Sequence, residues 1–205
     1  AKNVTFDCLT RVSDIDEEKM RIMAVSGCKK ISFGIESGSP RILKLIRKGI
    51  TLEQAQNAFH LARKFRLPIV EASFMIGGHP DETIEDIIMT KKFIYKLRPD
   101  ILAAFIAIPY PGTELNHILK ERGLLNEERW EDFKLFFGDP GWQLGGIPMK
   151  KMQKILKGIT YAYYFNPSFI LTAVGKIRSY KEFKYWAGLG LSFIKSAVSC
   201  PARGK

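Results

Sequence analysis

The sequence predicts an α/β fold in which a parallel sheet is followed by a mainly helical extension. Residues 1–125 alternate strand-like apolar runs with helix-like amphipathic runs. The helical runs between successive strands are long enough for the crossover connections that parallel strands require. Beyond residue 125 the strand-like runs stop, and the chain becomes aromatic and then basic. We therefore expect four βα units, arranged either as a doubly wound sheet or as part of a βα barrel.

Apolar periodicity places the individual elements. Strand-like runs lie at residues 4–9, 29–36, 67–76 and 100–108. Helix-like runs lie at residues 13–27, 41–48, 51–66, 81–98 and 114–125. The strict strand–helix order gives units of about 30 residues, which is the usual length of a βα unit.

Residues at the helix ends support these boundaries. Asp14 or Asp16 can cap the first helix, and Gly27 can end it in a left-handed conformation. Thr51 can cap the next long helix, whose apolar residues fall on one face. The helix predicted at 81–98 begins with acidic residues and ends with basic ones, which matches its dipole.

The bulk properties narrow the class of protein. A chain of 205 residues, 46% hydrophobic and 26% charged, fits one globular domain or one domain with an appendage. No run of about 18 uncharged apolar residues predicts a spanning helix, and the start lacks the apolar core of a secretory signal. Cys8, Cys28 and Cys200 have the spacing of neither a disulfide framework nor a metal motif. We therefore expect a cytoplasmic protein with isolated thiols.

Charge is distributed unevenly along the chain. Residues 1–149 contain 21 Lys and Arg and 20 Asp and Glu, whereas residues 150–205 contain 11 Lys and Arg and one acidic residue, Glu182. Together with the change of composition, this predicts two regions, 1–125 and 126–205. The basic, aromatic tail suits an anionic membrane surface, an acidic or lipid-like substrate, or a helical cap whose lysines stay in water. No RNA-binding signature supports nucleic acid.

The predicted strand ends share a composition that suits a ligand. In parallel βα folds the working surface lies at the carboxyl ends of the strands. Here those ends are Gly- and Pro-rich or charged: "TRVSD", "GIESGSP", "MIGGHPDET" and "IPYPGTEL". Gly77 and Gly78 allow close approach of a backbone to a flat ligand. The structural alternative is a plain turn, with Pro80 near the start of the next helix and Asp81 and Glu82 in its first turn.

Three of these segments carry a resemblance to a known family. They are "ISFGIESGSPRILKLIRKG" (31–49), "MIGGHPDET" (75–83) and "PYPGTEL" (109–115). In this order and at this spacing they resemble the radical S-adenosylmethionine (SAM) superfamily. The closest branch carries an N-terminal cobalamin-binding domain and includes methyltransferases and the anaerobic magnesium-protoporphyrin monomethyl ester cyclase. The resemblance implies the C-terminal part of a partial (β/α)6 barrel with a helical C-terminal extension.

One departure from the family pattern is decisive for the chemistry. Family members hold a [4Fe–4S] cluster through a C-x3-C-x2-C loop after their first strand, and no such spacing occurs in this sequence. We therefore expect the chain to be part of a longer enzyme, whose other parts supply the cluster ligands and the cobalamin-binding domain. By itself, the chain is expected to be inactive. The alternative is a degenerate barrel that serves as an interaction module.

The resemblance also implies an activity for the intact protein. A reduced cluster would cleave SAM to a 5′-deoxyadenosyl radical, which removes hydrogen from a small-molecule or lipid-like substrate, and cobalamin would serve methyl transfer or a rearrangement. The chain would supply SAM contacts and the substrate-side wall. A methylthiotransferase that modifies RNA is a further alternative. It predicts a basic C-terminal β-domain, and the helical tail argues against that.

The resemblance assigns SAM contacts to particular positions. The backbone of Ile76, Gly77 and Gly78 would lie along the adenine, as would the strand end at Ile108. Glu36 would point into the cleft and accept hydrogen bonds from the ribose hydroxyls or the ammonium group. Its structural alternative is a capping or salt-bridged carboxylate.

The remaining candidates have weaker support. Lys48 would bind the methionyl carboxylate, although a cation at a helix C-terminus is favoured by the dipole alone. Arg11 is a similar cation candidate. Ser37 would add a contact, but its loop reads equally well as a helix cap. His79 replaces a usually apolar family residue, and we expect it to face solvent or a partner rather than take part in catalysis.

Overall fold

The structure is a computed structural model that describes residues 4–125 and 146–177, together with six residues between 180 and 190. Four strands are present: β1 (Phe6–Thr10), β2 (Cys28–Glu36), β3 (Ile69–Ile76) and β4 (Ile101–Ile106). The α-helices are α1 (Glu17–Val25), α2 (Pro40–Leu45), α3 (Leu52–Lys64), α4 (Ile84–Leu97), α5 (Glu114–Glu121), α6 (Met149–Tyr164) and α7 (Pro167–Gly175). A short 3-10 turn, Val12–Asp14, follows β1. The predicted aromatic linker at 126–145 lies outside the described residues.

The four strands form one parallel sheet in the order β1-β2-β3-β4. Each strand is therefore followed by a crossover to its immediate neighbour. A doubly wound sheet reverses its strand order at a switch point, and these four strands do not. The sheet is thus a segment of the barrel type, and the predicted α/β class with a helical C-terminal part is confirmed.

Most helix starts follow the predicted capping residues. Asp16, not Asp14, caps α1, and its carboxylate accepts a hydrogen bond from the Lys19 N–H at 2.8 Å. Thr51 and Gln54 form a reciprocal capping box at the start of α3. Such caps satisfy N–H groups that have no partner inside the helix. They fix the residue at which each of these helices begins.

The start of α4 differs from the prediction. The helix begins at Ile84, with Thr83 as its cap and Asp86 completing a capping box. Asp81 and Glu82 therefore precede the helix and do not lie in its first turn. The reason is that Thr83 and Asp86 together satisfy the free N–H groups of the helix start. Asp81 and Glu82 are therefore not needed as caps, and they lie in the turn before the helix.

The two faces of the sheet have different surroundings. Ile31, Phe33 and Ile35 of β2 are fully buried on the helix side, where Phe33 packs against Phe59 of α3 with ring centroids 5.6 Å apart. The alternate residues of β2 and β3 face the other side, which is polar. There the Lys30 Nζ lies 3.1 Å from the Glu71 Oε2 of β3. Apolar packing thus holds the helices on one face and leaves the other available to ligands.

The helical extension begins with α6 and continues into α7. Asn166 caps α7 through a 2.9 Å hydrogen bond from the Ser168 N–H, and Pro167 occupies its first turn. The chain forms two compact units, residues 1–161 and 162–205. The division predicted at residue 125 reflects composition and stays a prediction. Within the described part of the chain, no helix is long and apolar enough to cross a bilayer.

The loop between β2 and α2 packs very tightly on α4. A Cβ placed on Gly38 would lie 2.6 Å from the Phe93 Cβ, 2.7 Å from the Thr90 Cα and 2.8 Å from the Met89 carbonyl oxygen. Two of these three atoms belong to the helix backbone, so a methyl group cannot be accommodated by a rotamer change. Only glycine allows this loop to lie against α4.

We expect Gly38→Ala to destabilise the protein by about 1–3 kcal/mol, because the loop and α4 must move apart. The free energy of unfolding from denaturant titration measures this. Gly158→Ala is the control, since Gly158 is an exposed position inside α6 with no atom within 4 Å of an added Cβ. That change should be neutral or stabilise by about 0.5–1 kcal/mol. Equal effects at the two positions would contradict the packing argument.

Candidate functional site

The candidate site lies at the carboxyl ends of β2, β3 and β4. Because these strands are parallel neighbours, the loops that follow them meet at one rim. The rim is built from three segments, residues 36–40, 77–83 and 107–113. A fourth contribution comes from residues 46–49, which follow α2 and return to the same rim.

Glu36 and Lys48 form an ion pair at this rim. The Lys48 Nζ lies 2.8 Å from the Glu36 Oε1, and each side chain is about a fifth exposed, at 22% and 23%. The Glu36 backbone has a φ of +72°, in the left-handed region, and the β2–β3 register shifts between Gly34 and Glu36. A non-glycine residue in this conformation at a strand end is a common feature of functional sites. The predicted salt-bridged alternative for Glu36 is therefore present, while contact with SAM stays a prediction.

Gly34 provides the space in which this ion pair sits. A Cβ at Gly34 would lie 3.0 Å from the Glu36 Oε1 and 3.1 Å from the Lys48 Nζ. The Ser73 hydroxyl of β3 would be 3.8 Å away. The pair thus lies over bare strand backbone on the polar face of the sheet. Glu36 points to that face, as the predicted alternation requires.

Arg11 contacts the same group of residues from the end of β1. Its guanidinium donates a 2.7 Å hydrogen bond to the Lys48 carbonyl oxygen. The side chain is exposed, and a Cβ at Gly49 would lie 3.1 Å from it. Arg11 therefore ties the backbone that carries Lys48 to β1. The structure brings together three of the predicted charged candidates.

The turn after β3 consists of Gly77 and Gly78. Gly77 has a φ of +75°, and its N–H donates a hydrogen bond to the Glu82 carboxylate. A Cβ on Gly78 would lie 3.1 Å from the Met75 Cε and 3.4 Å from the Ile46 Cγ2. Ile46 is two residues from Lys48, so the glycine turn and the ion pair are adjacent parts of the rim. Ile76 is buried, and its carbonyl oxygen accepts a 2.8 Å hydrogen bond from the Ala107 N–H.

Glu82 is a site residue that the sequence patterns missed. It is only 5% exposed, and its Oε1 is the one fully buried side-chain N or O atom of the described residues without a hydrogen bond. Burial raises the pKa of Glu82 to about 7, and the Gly77 N–H opposes that shift. Helical periodicity placed this residue in a first turn. The signal that could have found it is an acid four residues after a Gly-Gly pair, where a turn needs an acceptor.

Asp86 connects the loops after β2 and β3. Its carboxylate accepts hydrogen bonds from the Ser39 hydroxyl at 2.6 Å, from the Thr83 N–H and hydroxyl at 2.9 Å each, and from the Arg41 guanidinium. Arg41 also donates to the Asp81 carbonyl oxygen at 2.8 Å. Burial acts to raise the pKa of Asp86, but these donors outweigh it and hold the pKa well below its usual range.

Ser37 lies away from the rim surface. Its side chain is fully buried, its hydroxyl oxygen is 3.1 Å from the Thr90 hydroxyl, and it accepts the Ser39 N–H at 3.1 Å. Ser39 caps α2. The structure therefore matches the capping alternative for this loop and does not support Ser37 as a SAM contact, because its hydroxyl is already used inside the protein.

His79 is buried, and the prediction that it faces solvent or a partner is wrong. It is 9% exposed, and its Nδ1 accepts a 3.2 Å hydrogen bond from the Asp81 N–H. Burial lowers the pKa of His79, so the neutral form with its proton on Nε2 is favoured at pH 7. The bond to the Asp81 N–H holds the imidazole against the backbone of its own turn, so the side chain does not extend into solvent.

The loop after β4 is held by a side chain that the sequence patterns also missed. The Asn116 Nδ2 donates a 3.0 Å hydrogen bond to the Pro109 carbonyl oxygen, and Asn116 is almost fully buried. Ile108 is half-buried, two residues past the end of β4, and its carbonyl oxygen accepts the Tyr110 N–H at 2.9 Å. Thr113 caps α5, since its hydroxyl accepts the Asn116 N–H at the start of that helix.

The rim suits a polar organic ligand better than a metal. It offers one carboxylate, one ammonium group and a bare glycine backbone side by side. Among the described residues, no group of three His, Cys, Asp or Glu side chains could hold a metal ion. Cys28 is buried, which raises the pKa of its thiol, and Cys8 is half-buried on the neighbouring strand. These residues therefore do not fit an iron–sulfur cluster, and Cys200 lies outside the described residues.

Comparison with known proteins identifies the family. The sequence model of the radical SAM superfamily matches residues 1–94, which include β1, β2, β3 and the rim segments that follow them. Residues 1–94 therefore belong to the radical SAM superfamily. Its fold agrees, since coproporphyrinogen III oxidase from Escherichia coli superposes with a TM-score of 0.55 at 16% identity, over 78% of this chain and 32% of that one.

Curated relatives extend the comparison. A Pyrococcus horikoshii protein named as an uncharacterized methyltransferase is 36% identical over 82% of this radical SAM chain and 36% of its own length. A Sulfurihydrogenibium protein named tRNA-2-methylthio-N(6)-dimethylallyladenosine synthase is 33% identical over 49% of this chain and 23% of its own length. The chain thus spans about a third or less of the length of these two relatives.

The buried Glu82 predicts a pH dependence of stability. Its pKa rises from 4.5 to about 7 on folding, so its stabilising contribution is complete below pH 4.5 and is lost as the pH rises through 7. We expect the free energy of unfolding of the wild type to fall by about 3 kcal/mol relative to Glu82→Gln between pH 4.5 and pH 8. Denaturant titration at several pH values measures this difference.

Glu85→Gln is the matched control, because it makes the same change at an exposed position in the first turn of α4. Its difference from the wild type should stay nearly constant over the same range. A Glu82→Gln variant that tracks the wild type at every pH would show that the carboxyl group is not buried as described.

Proposed function

We propose that the rim binds SAM, with the Glu36–Lys48 ion pair as the recognition site for its amino acid group. The observation that carries this proposal is the pair itself, partly buried over Gly34 and beside the glycine turn. A partly exposed ion pair on a strand end with a left-handed backbone is suited to exchange partners with a ligand.

The chemistry of SAM matches the two charges. Its methionyl group is a zwitterion, with an ammonium group and a carboxylate on one carbon. Glu36 would accept hydrogen bonds from the ammonium group or from the ribose hydroxyls, and Lys48 would donate to the carboxylate. Arg11 would act indirectly, by fixing the backbone of Lys48. On SAM binding, Glu36 and Lys48 would thus each exchange their present ion-pair partner, which is partly exposed to water, for an oppositely charged group of SAM in a fixed position.

The adenine would lie along the glycine turn. Its contacts would be the backbone of Gly77 and Gly78, which follow β3 directly, and the backbone of Ile76 at the end of β3 and of Ile108, two residues past the end of β4. Sites for flat aromatic ligands usually combine apolar surface with a few well-placed polar groups, and backbone N–H and C=O groups are among these. Glu82 would support the turn through the Gly77 N–H.

For the whole protein we propose a radical SAM enzyme of the methyltransferase or cyclase type. The similarity to a protein named as a methyltransferase supports this. The cluster ligands, and a cobalamin-binding part if one is used, would come from other parts of the protein. A cluster held by those parts would provide the electron for reductive cleavage of SAM, and the resulting 5′-deoxyadenosyl radical would remove a hydrogen atom from a small-molecule or lipid-like substrate. The residues described above bind and orient SAM.

A methylthiotransferase that modifies tRNA is the second candidate, favoured by the similarity to the protein with that name. The lengths of the two matches favour the methyltransferase type. A match that covers 82% of 205 residues must extend well beyond residue 125, into the helical extension. The match to the methylthiotransferase covers only 49% of the chain.

SAM affinity of the full-length protein tests the proposal. We expect Glu36→Gln and Lys48→Met each to weaken SAM binding about 10- to 100-fold, because each removes one charge-assisted hydrogen bond. Equilibrium dialysis with labelled SAM measures the dissociation constant. Glu17→Gln and Lys64→Met are matched controls, since this exposed ion pair joins α1 and α3 away from the rim.

The outcomes separate the alternatives. Unchanged affinity in Glu36→Gln and Lys48→Met, with SAM bound, would remove the pair from the site. No SAM binding by the wild type would favour a non-catalytic interaction module. Weaker binding in the control variants as well would point to a general loss of folding.

A further inference from the structure

We propose that α7 binds the surface of an anionic phospholipid bilayer through a continuous apolar face. This face, here called the α7 apolar face, consists of Pro167, Ile170, Leu171 and Val174. The proposal concerns residues 162–205 as a unit by themselves, and it is independent of how SAM binds at the rim.

The α7 apolar face is exposed. Ile170 is 45% exposed, Leu171 74% and Val174 59%, and no residue of α7 is buried. At 100° per residue, these three positions and Pro167 lie within about one quarter to one third of the helix circumference. An exposed helix whose outward face is aliphatic costs free energy in water unless something covers it.

The opposite side of α7 accounts for its orientation. Phe169 is half-buried, and its ring centroid lies 5.1 Å from that of Tyr163 and 5.1 Å from that of Tyr164. The Thr172 hydroxyl donates a 2.8 Å hydrogen bond to the Ser168 carbonyl oxygen, which satisfies the polar side of the helix. The aromatic contact therefore anchors α7 and leaves the aliphatic face outward.

Charge identifies the kind of partner. Residues 162–205 contain seven Lys and Arg and a single acidic residue, Glu182, and no Asp or Glu lies between Asp139 and Glu182. Basic and aromatic residues that follow closely in sequence on an exposed apolar helix are typical of segments that lie in the interface of an anionic membrane. Tyr180 and Phe183 are also exposed, at 80% and 53%.

The same features disfavour other occupants. A nucleic acid would be recognised by the positive charge but gains little from aliphatic side chains on the outside of a helix. Four residues on a nine-residue helix offer far less surface than the roughly 800 Å² per partner of a standard protein interface. A bilayer surface uses both the charge and the short apolar face. No helix of the described residues is long and apolar enough to cross the bilayer, so binding would be peripheral.

Co-sedimentation of the full-length protein with vesicles tests the proposal. The probes are phosphatidylcholine vesicles and vesicles of phosphatidylcholine with 30 mol% phosphatidylglycerol. We expect at least about tenfold stronger partitioning to the anionic vesicles, lost at high salt. The Ile170→Ser/Leu171→Ser double variant should lower the partition coefficient at least about tenfold, because two aliphatic side chains no longer enter the interface.

Two further variants complete the experiment. Ile88→Ser/Met89→Ser is the matched control, since these α4 side chains are 46% and 48% exposed and should not affect vesicle binding. Lys176→Gln/Lys184→Gln should weaken binding to anionic vesicles only. Unchanged SAM affinity in all variants would show that they are folded. Equal partitioning of the wild type and Ile170→Ser/Leu171→Ser would overturn the proposal. Binding to a single-stranded RNA but not to vesicles, or self-association that the same double variant abolishes, would also overturn it.

Discussion

The carboxylate of Asp86 holds together the part of the molecule on which the candidate site depends. It accepts hydrogen bonds from Ser39 at the start of α2, from Thr83 at the start of α4 and from Arg41. Two helices that follow neighbouring strands are therefore fixed to one buried group. Because a buried carboxylate is tolerated only when donors surround it, the geometry of both loops is determined together. The close packing of Gly38 against α4 holds the same loop against the same helix.

The parallel fold could be predicted from the sequence because its signals are local. Strand-like runs, capping residues and crossover lengths all act within about 15 residues, and the four parallel strands follow from them. The strand order β1-β2-β3-β4 does not, because the same patterns also fit a doubly wound sheet. The start of α4 was misplaced, since two acids before Thr83 have the composition of a first turn. Instead, Glu82 folds back to accept the Gly77 N–H and the Asp81 carbonyl oxygen accepts from Arg41, and no local pattern contains these contacts.

The candidate site was predictable only in part. The resemblance of the rim segments placed Glu36 and Lys48 in the same region, and the structure puts them 2.8 Å apart. It also assigned a ligand role to Ser37, whose hydroxyl is used by Thr90 across 53 residues of sequence. His79 and Glu82 are buried, and each accepts a backbone N–H of the same short turn, His79 from Asp81 and Glu82 from Gly77. Such long-range and conformation-dependent effects have no counterpart in residue spacing.

The salt bridge between Glu36 and Lys48 has a consequence for selectivity. With their charges cancelled in the free protein, these side chains present no strong local field to passing ions. A compound with only an amine or only an acid would capture one of them and leave the other partly buried without a counter-charge, at a net cost. A ligand that carries both groups at the right separation avoids that cost. As the proposed SAM site, the pair would favour zwitterions over compounds that carry only one of the two charges.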